Sequence, residues 1–351
     1  MPGRLPYDLL DRSAPEASRL LALHYLDQIG EARARLGDEL DQEALHDFRV
    51  GLRRIRSAVR AYRGELAGSI SGTMRRRLRD LARATNDGRD VEVQLVWLAS
   101  QVEVMTERDL AGFFWLVGRL EDRKQKTHDR AVADVAHRYD KAAVKLRKAL
   151  AVLRIDLQVD QGQRPRSFRE LTGVLARHHV GVLRDELGRI QGSSDVAQAH
   201  RTRISLKRLR YLLEPIARRN RRAGALVRRF KEAQDLLGEH HDMHVLAATI
   251  ASFRDGLVAS RFPGLESGLD KVGRRADEAA AAAFERFESV WVGELGNRIL
   301  ARTEELGRAL EAPPAPPKPG VPQPPSVASV GDVLQVDIQP SMETEISAHS
   351  P

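Results

Sequence analysis

Apolar residues recur along most of this chain at steps of three and four, the period of a helix with one face turned to a core. The clearest case is Leu45 to Leu66, where Leu45, Phe48, Leu52, Ile55, Val59, Tyr62 and Leu66 form such a stripe. A second stripe runs beside it, made of His46, Arg49, Arg53, Arg56, Arg60 and Arg63. At about 5.4 Å per turn these cations recur roughly once a turn. A rigid rod with evenly spaced arginines suits a linear polyanion, although one such rod alone reads as a solvated charged face.

The stretch occurs twice. A shift of 154 residues sets His46 on His200, Arg49 on Arg203, Arg53 on Lys207, Arg54 on Arg208 and Arg56 on Arg210. The apolar positions follow, Leu52 on Leu206, Ile55 on Leu209 and Val59 on Leu213. A second block, Arg75 to Leu95, aligns with Val227 to Leu246 at a shift of 152, setting Arg79 on Lys231 and Asp90 on Asp242. Self-similarity at this period marks a duplicated domain. In each copy of the second block the pattern predicts a basic helix, a break at Asn86-Asp87-Gly88 or Gly238, and a new helix opening near an aspartate. Asp90 and Asp242 then read as capping residues.

The pattern predicts an irregular lead-in over 1–15, a helical repeat over 16–157 and a linker over 158–166, which holds Gly162 and Pro165. A second repeat follows over 167–311. No alternating β pattern of useful length occurs, so the expected class is all-α, two sequence-related antiparallel bundles in pseudo-twofold packing around a central basic groove. Residues 312–351 open on a proline-rich run and read as a disordered tail.

Composition adjusts this picture in three ways. The net charge is +8. The tail sets Lys318 against Asp332, Asp337, Glu343 and Glu345, so the remainder is more basic still and favours an anionic partner. There are no cysteines, which removes disulfides and thiolate metal sites. No run approaches the roughly 20 apolar residues of a membrane span, and the first residues lack a signal-peptide core. The expected location is cytoplasmic, with no membrane partner.

The paired H-x-x-R-x-x-x-[RK]-R-x-R helices, each followed by a basic helix and an [RH]-D-x-x-V segment, resemble the CHAD family (conserved histidine α-helical domain) over roughly residues 15–310. The resemblance implies two related helical bundles, binding of inorganic polyphosphate in a basic groove, and association with polyphosphate granules and their proteins. It also carries His46 and His200 into that groove. Some relatives are fused to a triphosphate-tunnel domain, whose E-x-E-x-K motif this sequence lacks, so a stand-alone form is expected.

The residues support the same partner independently. Polyphosphate has no sequence to read, so affinity must come from many cation–phosphate contacts and counterion release, and the arginine fork suits phosphate oxygens. Arg49, Arg53, Arg56, Arg60, Arg203, Lys207 and Arg210 are the expected contacts, with Arg76, Arg79, Arg83, Arg228 and Lys231 as a further set. Arg49, Arg53 and Arg56 lie off the apolar stripe, so their replacement is expected to spare the fold. Where the first copy has Arg60 the second has Glu214, followed by Pro215. That acid repels phosphate, and the groove is expected to end there.

His240 and His244 have the i, i+4 spacing of a helical metal pair. The first copy has Gly88 and Glu92 in their places and no third ligand is evident, so no metal is assigned, and an anion contact from His241 is the more economical reading. No cofactor motif, phosphate loop or nucleophile motif is present, and no set of carboxylates gathers to hold Mg²⁺, so an enzyme is not expected. The rivals are a nucleic-acid binder, disfavoured because only Tyr62 and Tyr211 could stack bases, and a regulatory scaffold that docks through its proline-rich tail.

Overall fold

A computed structural model describes residues 8–38, 41, 43–151, 166–258 and 263–313. Helices dominate the described residues, and no strand occurs among them. The linker, apart from Arg166, and the tail beyond 313 lie outside the described residues. The α-helices are α1 (Ala14–Arg35), α2 (Glu43–Ala61), α3 (Gly72–Ala99), α4 (Glu107–Ala151), α5 (Phe168–Gly188), α6 (Val196–Ala217), α7 (Arg221–Val258), α8 (Glu266–Trp291) and α9 (Glu294–Glu311).

Several starts carry side-chain caps. Ser167 and Glu170 close a reciprocal capping box on α5, and Ser71 and Asp195 cap α3 and α6. The apolar stripe of α2 is buried as its period requires, and it continues past the helix end: Tyr62 and Leu66 lie in the following turns and are also buried. Pro215 falls in the last turn of α6, two residues before its end.

Two readings of the helix joints need correction. Asn86-Asp87-Gly88 does not break the chain, and neither does Gly238; α3 and α7 run straight through them. Asp90 and Asp242 are therefore helix-interior residues and do not open a helix. The last part of the second repeat, from Glu266 to Glu311, is two helices. It turns at Gly293, whose φ of 142° is open to glycine and to few other residues.

The lengths of α3 and α7 follow from what they bury. Their first halves contribute Leu78, Leu81, Phe230 and Leu237 to a large core shared with α1, α2, α4, α5, α6, α8 and α9. Their second halves contribute Val91, Leu98, Met243 and Ile250 to a smaller core closed by the starts of α4 and α8. In that smaller core α4 and α8 cross backbone to backbone at Gly112 and Gly268. A Cβ on Gly268 would meet the Asp109 carbonyl at 2.2 Å, so the crossing needs glycine there. Asp109 secures it by accepting from Ser267 Oγ at 2.8 Å and Lys271 Nζ at 3.0 Å.

The larger core passes without a break from α1–α4 to α5–α9. Tyr62 packs its ring 4.8 Å from that of Phe168, and its hydroxyl lies 3.1 Å from Thr172 Oγ1. Ser13 and Ser167, which precede α1 and α5, pair in an isolated antiparallel bridge. No described helix is long and apolar enough to cross a membrane.

Candidate functional site: a cation trough between two helices

Helices α2 and α6 pack against each other, and α3 packs against both α2 and α7. This brings the two basic stripes into one neighbourhood. Burying apolar faces at fixed period leaves each helix one outward stripe, and on α2 and α6 that stripe is cationic. Within the neighbourhood the cations fall into three environments.

The first is an open cavity of about 1240 Å³. His46 and Arg53 of α2, Arg203 and Arg210 of α6, and Arg228 and Lys231 of α7 all line it. So do Glu31, Asp47, Asp90, Glu214, Asp235, Glu239 and Asp242, and much of its charge is already matched. Lys231 Nζ lies 2.6 Å from Asp235, and Arg35 bonds Asp41 at 2.7 Å and Asp47 at 2.9 Å. Glu214 is paired within the wall. Its two oxygens each lie 3.2 Å from an arginine Nε, that of Arg54 across on α2 and that of Arg210 on its own helix. From α3 and its C-cap the lining takes Val93, Val96 and Trp97 beside the polar Arg89, Asp90 and Ser100.

The second environment lies around Arg53, Arg203 and Lys207. Burial and then the charges of Arg203, Arg53 and Arg210 push the Lys207 ammonium down to about 7, against a weaker pull from Asp242. The rings of His200 and His241 lie tilted at 44° with centroids 5.0 Å apart. Burial, Arg203 and the neighbouring cations push His241 down to about 4, and His200 is lowered by burial, Arg203 and Lys207. Arg203 Nε and His241 Nδ1 are buried and have no hydrogen-bond partner. Asp242 is raised, chiefly by burial, with Asp90 adding to the shift.

The third environment is the least compensated. Arg56 is lowered by burial and then by Arg60, Arg79 and Arg83, with no acid opposing. Arg208 is lowered by burial and Arg60, opposed only by Glu186, and its Nε has no hydrogen-bond partner. His179 of α5 is pushed down to about 4 by burial, His178, Arg208 and Arg60. Arg60, Arg79 and Arg83 are exposed. Arg79 has a 3.9 Å ion pair with its neighbour Asp80; like charges held together with so few counter-ions store repulsion that a bound anion would relieve.

The structure thus gathers most of the predicted residues and sets one apart. Arg76 lies exposed one turn before Arg79 on α3. Arg49 is buried. Its Nε donates to the Thr85 carbonyl at 2.6 Å and its Nη1 to both Glu92 oxygens at 3.0 Å. The expectation that Arg49 could be replaced without harm to the fold is therefore corrected.

The two halves differ here for a local reason. Arg49 reaches Glu92 by lying over Gly88, where a Cβ would sit 3.2 Å from its Nη2. The aligned residues in the other half are His240 and His244, whose Nε2 atoms lie 3.2 Å apart, with that of His240 also 2.8 Å from the Ser193 carbonyl. Arg203 lies instead over Gly238 and forms no such bidentate pair, which leaves it facing the trough. Among the described residues no three His, Asp or Glu side chains are grouped to hold a metal ion.

Sequence reasoning missed Arg208 and His179 as site residues. Arg208 was visible, since it aligns with Arg54 inside the repeated motif; His179 carried no signal beyond an adjacent pair of histidines.

A model of the CHAD domain family matches residues 21–251, a span that holds both walls of the trough. The fold is similar to the crystal structure of the CHAD domain from the plant Ricinus communis, at 21% identity and a TM-score of 0.63, covering 82% of this chain and 96% of that one. It is also similar to PptA from Streptomyces chartreusis, at 17% identity and a TM-score of 0.61, covering 80% of this chain and all of that one. No curated protein matches it by sequence. With the family model spanning well over half of its length, and the two arginine-rich helices inside that span, the chain belongs to the CHAD domain family.

Proposed function

We propose that this chain binds inorganic polyphosphate, without catalysis, along the trough between α2 and α6, and that this binding draws it to polyphosphate granules. The observation that carries the reading is the set of cations that form no ion pair among the described residues and face mostly other cations: Arg53, Arg56, Arg60, Arg203, Lys207 and Arg208, from both helices. A chain of phosphates supplies one charge per unit at a repeat short enough to meet all of them. It presents no base to stack, which suits walls poor in accessible aromatics.

The test compares long-chain polyphosphate with duplex DNA at equal phosphate concentration over a salt series. Polyphosphate is expected to bind tighter at every salt, with log K falling linearly in log salt by about 0.7 for each contact. Equal affinity for the two polymers would favour a general polyanion or nucleic-acid surface.

The depressed Lys207 adds a pH signature. A bound polyanion favours the protonated amine and raises its pKa, so binding takes up a proton in the window between about 7, where the free protein titrates, and the higher bound value. Affinity is therefore expected to fall as pH rises from 7 towards 9. Calorimetry in buffers of different ionisation enthalpy reads the uptake directly. Lys207→Met should abolish it, and an unchanged proton count in that variant would assign the titration elsewhere.

A further inference from the structure

Glu214 has no place in a polyanion site, yet it lies in the cavity wall between α2 and α6. It is half-buried, with 18% of its side chain exposed, as are Arg54 at 19% and Arg210 at 16%. Each of its oxygens lies 3.2 Å from an arginine, one on either helix, as a hydrogen bond from Arg54 and as an ion pair without hydrogen-bond geometry to Arg210. A phosphate bridging the trough would present two oxygens to the same pair of guanidinium groups. Tyr25 is buried nearby, and its phenol is pushed up by burial and then by the charge of Glu214. In the motif register the matching position of the first half is Arg60, which is exposed and stands among cations. One residue therefore makes one end of the trough open and the other self-neutralised.

We propose that Glu214 is a built-in counter-anion that occupies a phosphate position between Arg54 and Arg210, and so sets where the bound polyanion stops. The inference rests on the trough being a polyphosphate site. It assigns Arg54 and Arg210 to Glu214, leaving the ligand to Arg53, Arg56, Arg60, Arg203, Lys207 and Arg208. Glu214 acts by exclusion, as a determinant of how many phosphates the protein covers.

Glu214→Gln keeps the size of the side chain and one acceptor, and removes the charge. The measurement is the salt dependence of long-chain polyphosphate affinity for wild type and E214Q, with thermal melts to establish that both are folded. E214Q is expected to bind tighter, by about tenfold or more at low salt, and with a log–log slope steeper by about 0.7 to 1.4, the contribution of one or two added phosphate contacts. An unchanged slope and affinity in folded E214Q would overturn the proposal, as would weaker binding.

A second variant avoids dependence on the first. Arg54→Gln in the wild-type background should leave polyphosphate affinity within about twofold, because Glu214 already occupies that arginine, whereas Arg53→Gln should lower it at least tenfold. Equal losses in R54Q and R53Q would place Arg54 among the ligand contacts and refute the assignment. Failure of the wild-type protein to bind polyphosphate at all would sink the trough reading itself, a result separate from either of these.

Discussion

Replacing Arg49 with alanine is expected to destabilise the fold by about 3 kcal/mol, the cost of breaking a buried ion pair by removing one partner. Its guanidinium holds α2 to α3 through the Thr85 carbonyl and both oxygens of Glu92, with 6% of its side chain exposed. Removal strands the carbonyl and leaves the half-buried Glu92 carboxylate only its longer 3.6 Å ion pair with Arg89. Arg53→Ala, one helical turn later in the same stripe, should change stability by less than about 0.5 kcal/mol because that side chain is exposed. Chemical denaturation of the two variants decides the point. Equal, small losses would mean that Arg49 is no anchor. The double replacement of Arg49 and Glu92 should cost less than the sum of the single ones, since neither partner is then left alone.

The triple variant R53E/R56E/R60E is expected to fold and to lose polyphosphate affinity by about a thousandfold or more. Three charge-assisted contacts at about 1.5 kcal/mol each give that figure before repulsion is added. The fold should survive because Arg53 and Arg60 are exposed and Arg56 is half-buried in a purely cationic setting. New carboxylates there would sit beside Arg79, Arg83 and Arg208 and relieve their mutual repulsion. Melting temperature together with affinity separates the outcomes. A folded triple variant that still binds as wild type would move the site away from this face of α2.

The helices were legible in the sequence because burial imposes a period of three to four, and a periodic stripe needs no knowledge of its partner. The joints between helices were not. Gly88 and Gly238 look like breaks because glycine weakens a helix, but in the fold each lies beneath an arginine from another helix, Arg49 over the one and Arg203 over the other. The missing Cβ serves a long side chain from more than thirty residues away. The turn at Gly293 failed in the opposite sense: no proline and no run of polar residues marks it, and only its positive φ does.

The site was legible as a stripe and illegible residue by residue. Arg49, Arg53 and Arg56 are equivalent on a helical wheel. What separates them is Glu92, which lies 43 residues further along the chain and, of the three, bonds Arg49. In the same way Glu214 reads as an acid placed against phosphate, and only the arrangement of two helices reveals the arginines on either side of it.

The unbroken core has a consequence for modularity. The basic stripes belong to separate halves of the chain, but the apolar stripes behind them meet in one cluster that takes residues from every helix. A chain cut between α4 and α5 would leave each half with an open apolar face where Tyr62 and Phe168 now pack. Neither wall of the trough can then be borrowed, exchanged or expressed as a portable unit. Half of this protein would be an aggregation-prone fragment, not a weaker version of the whole.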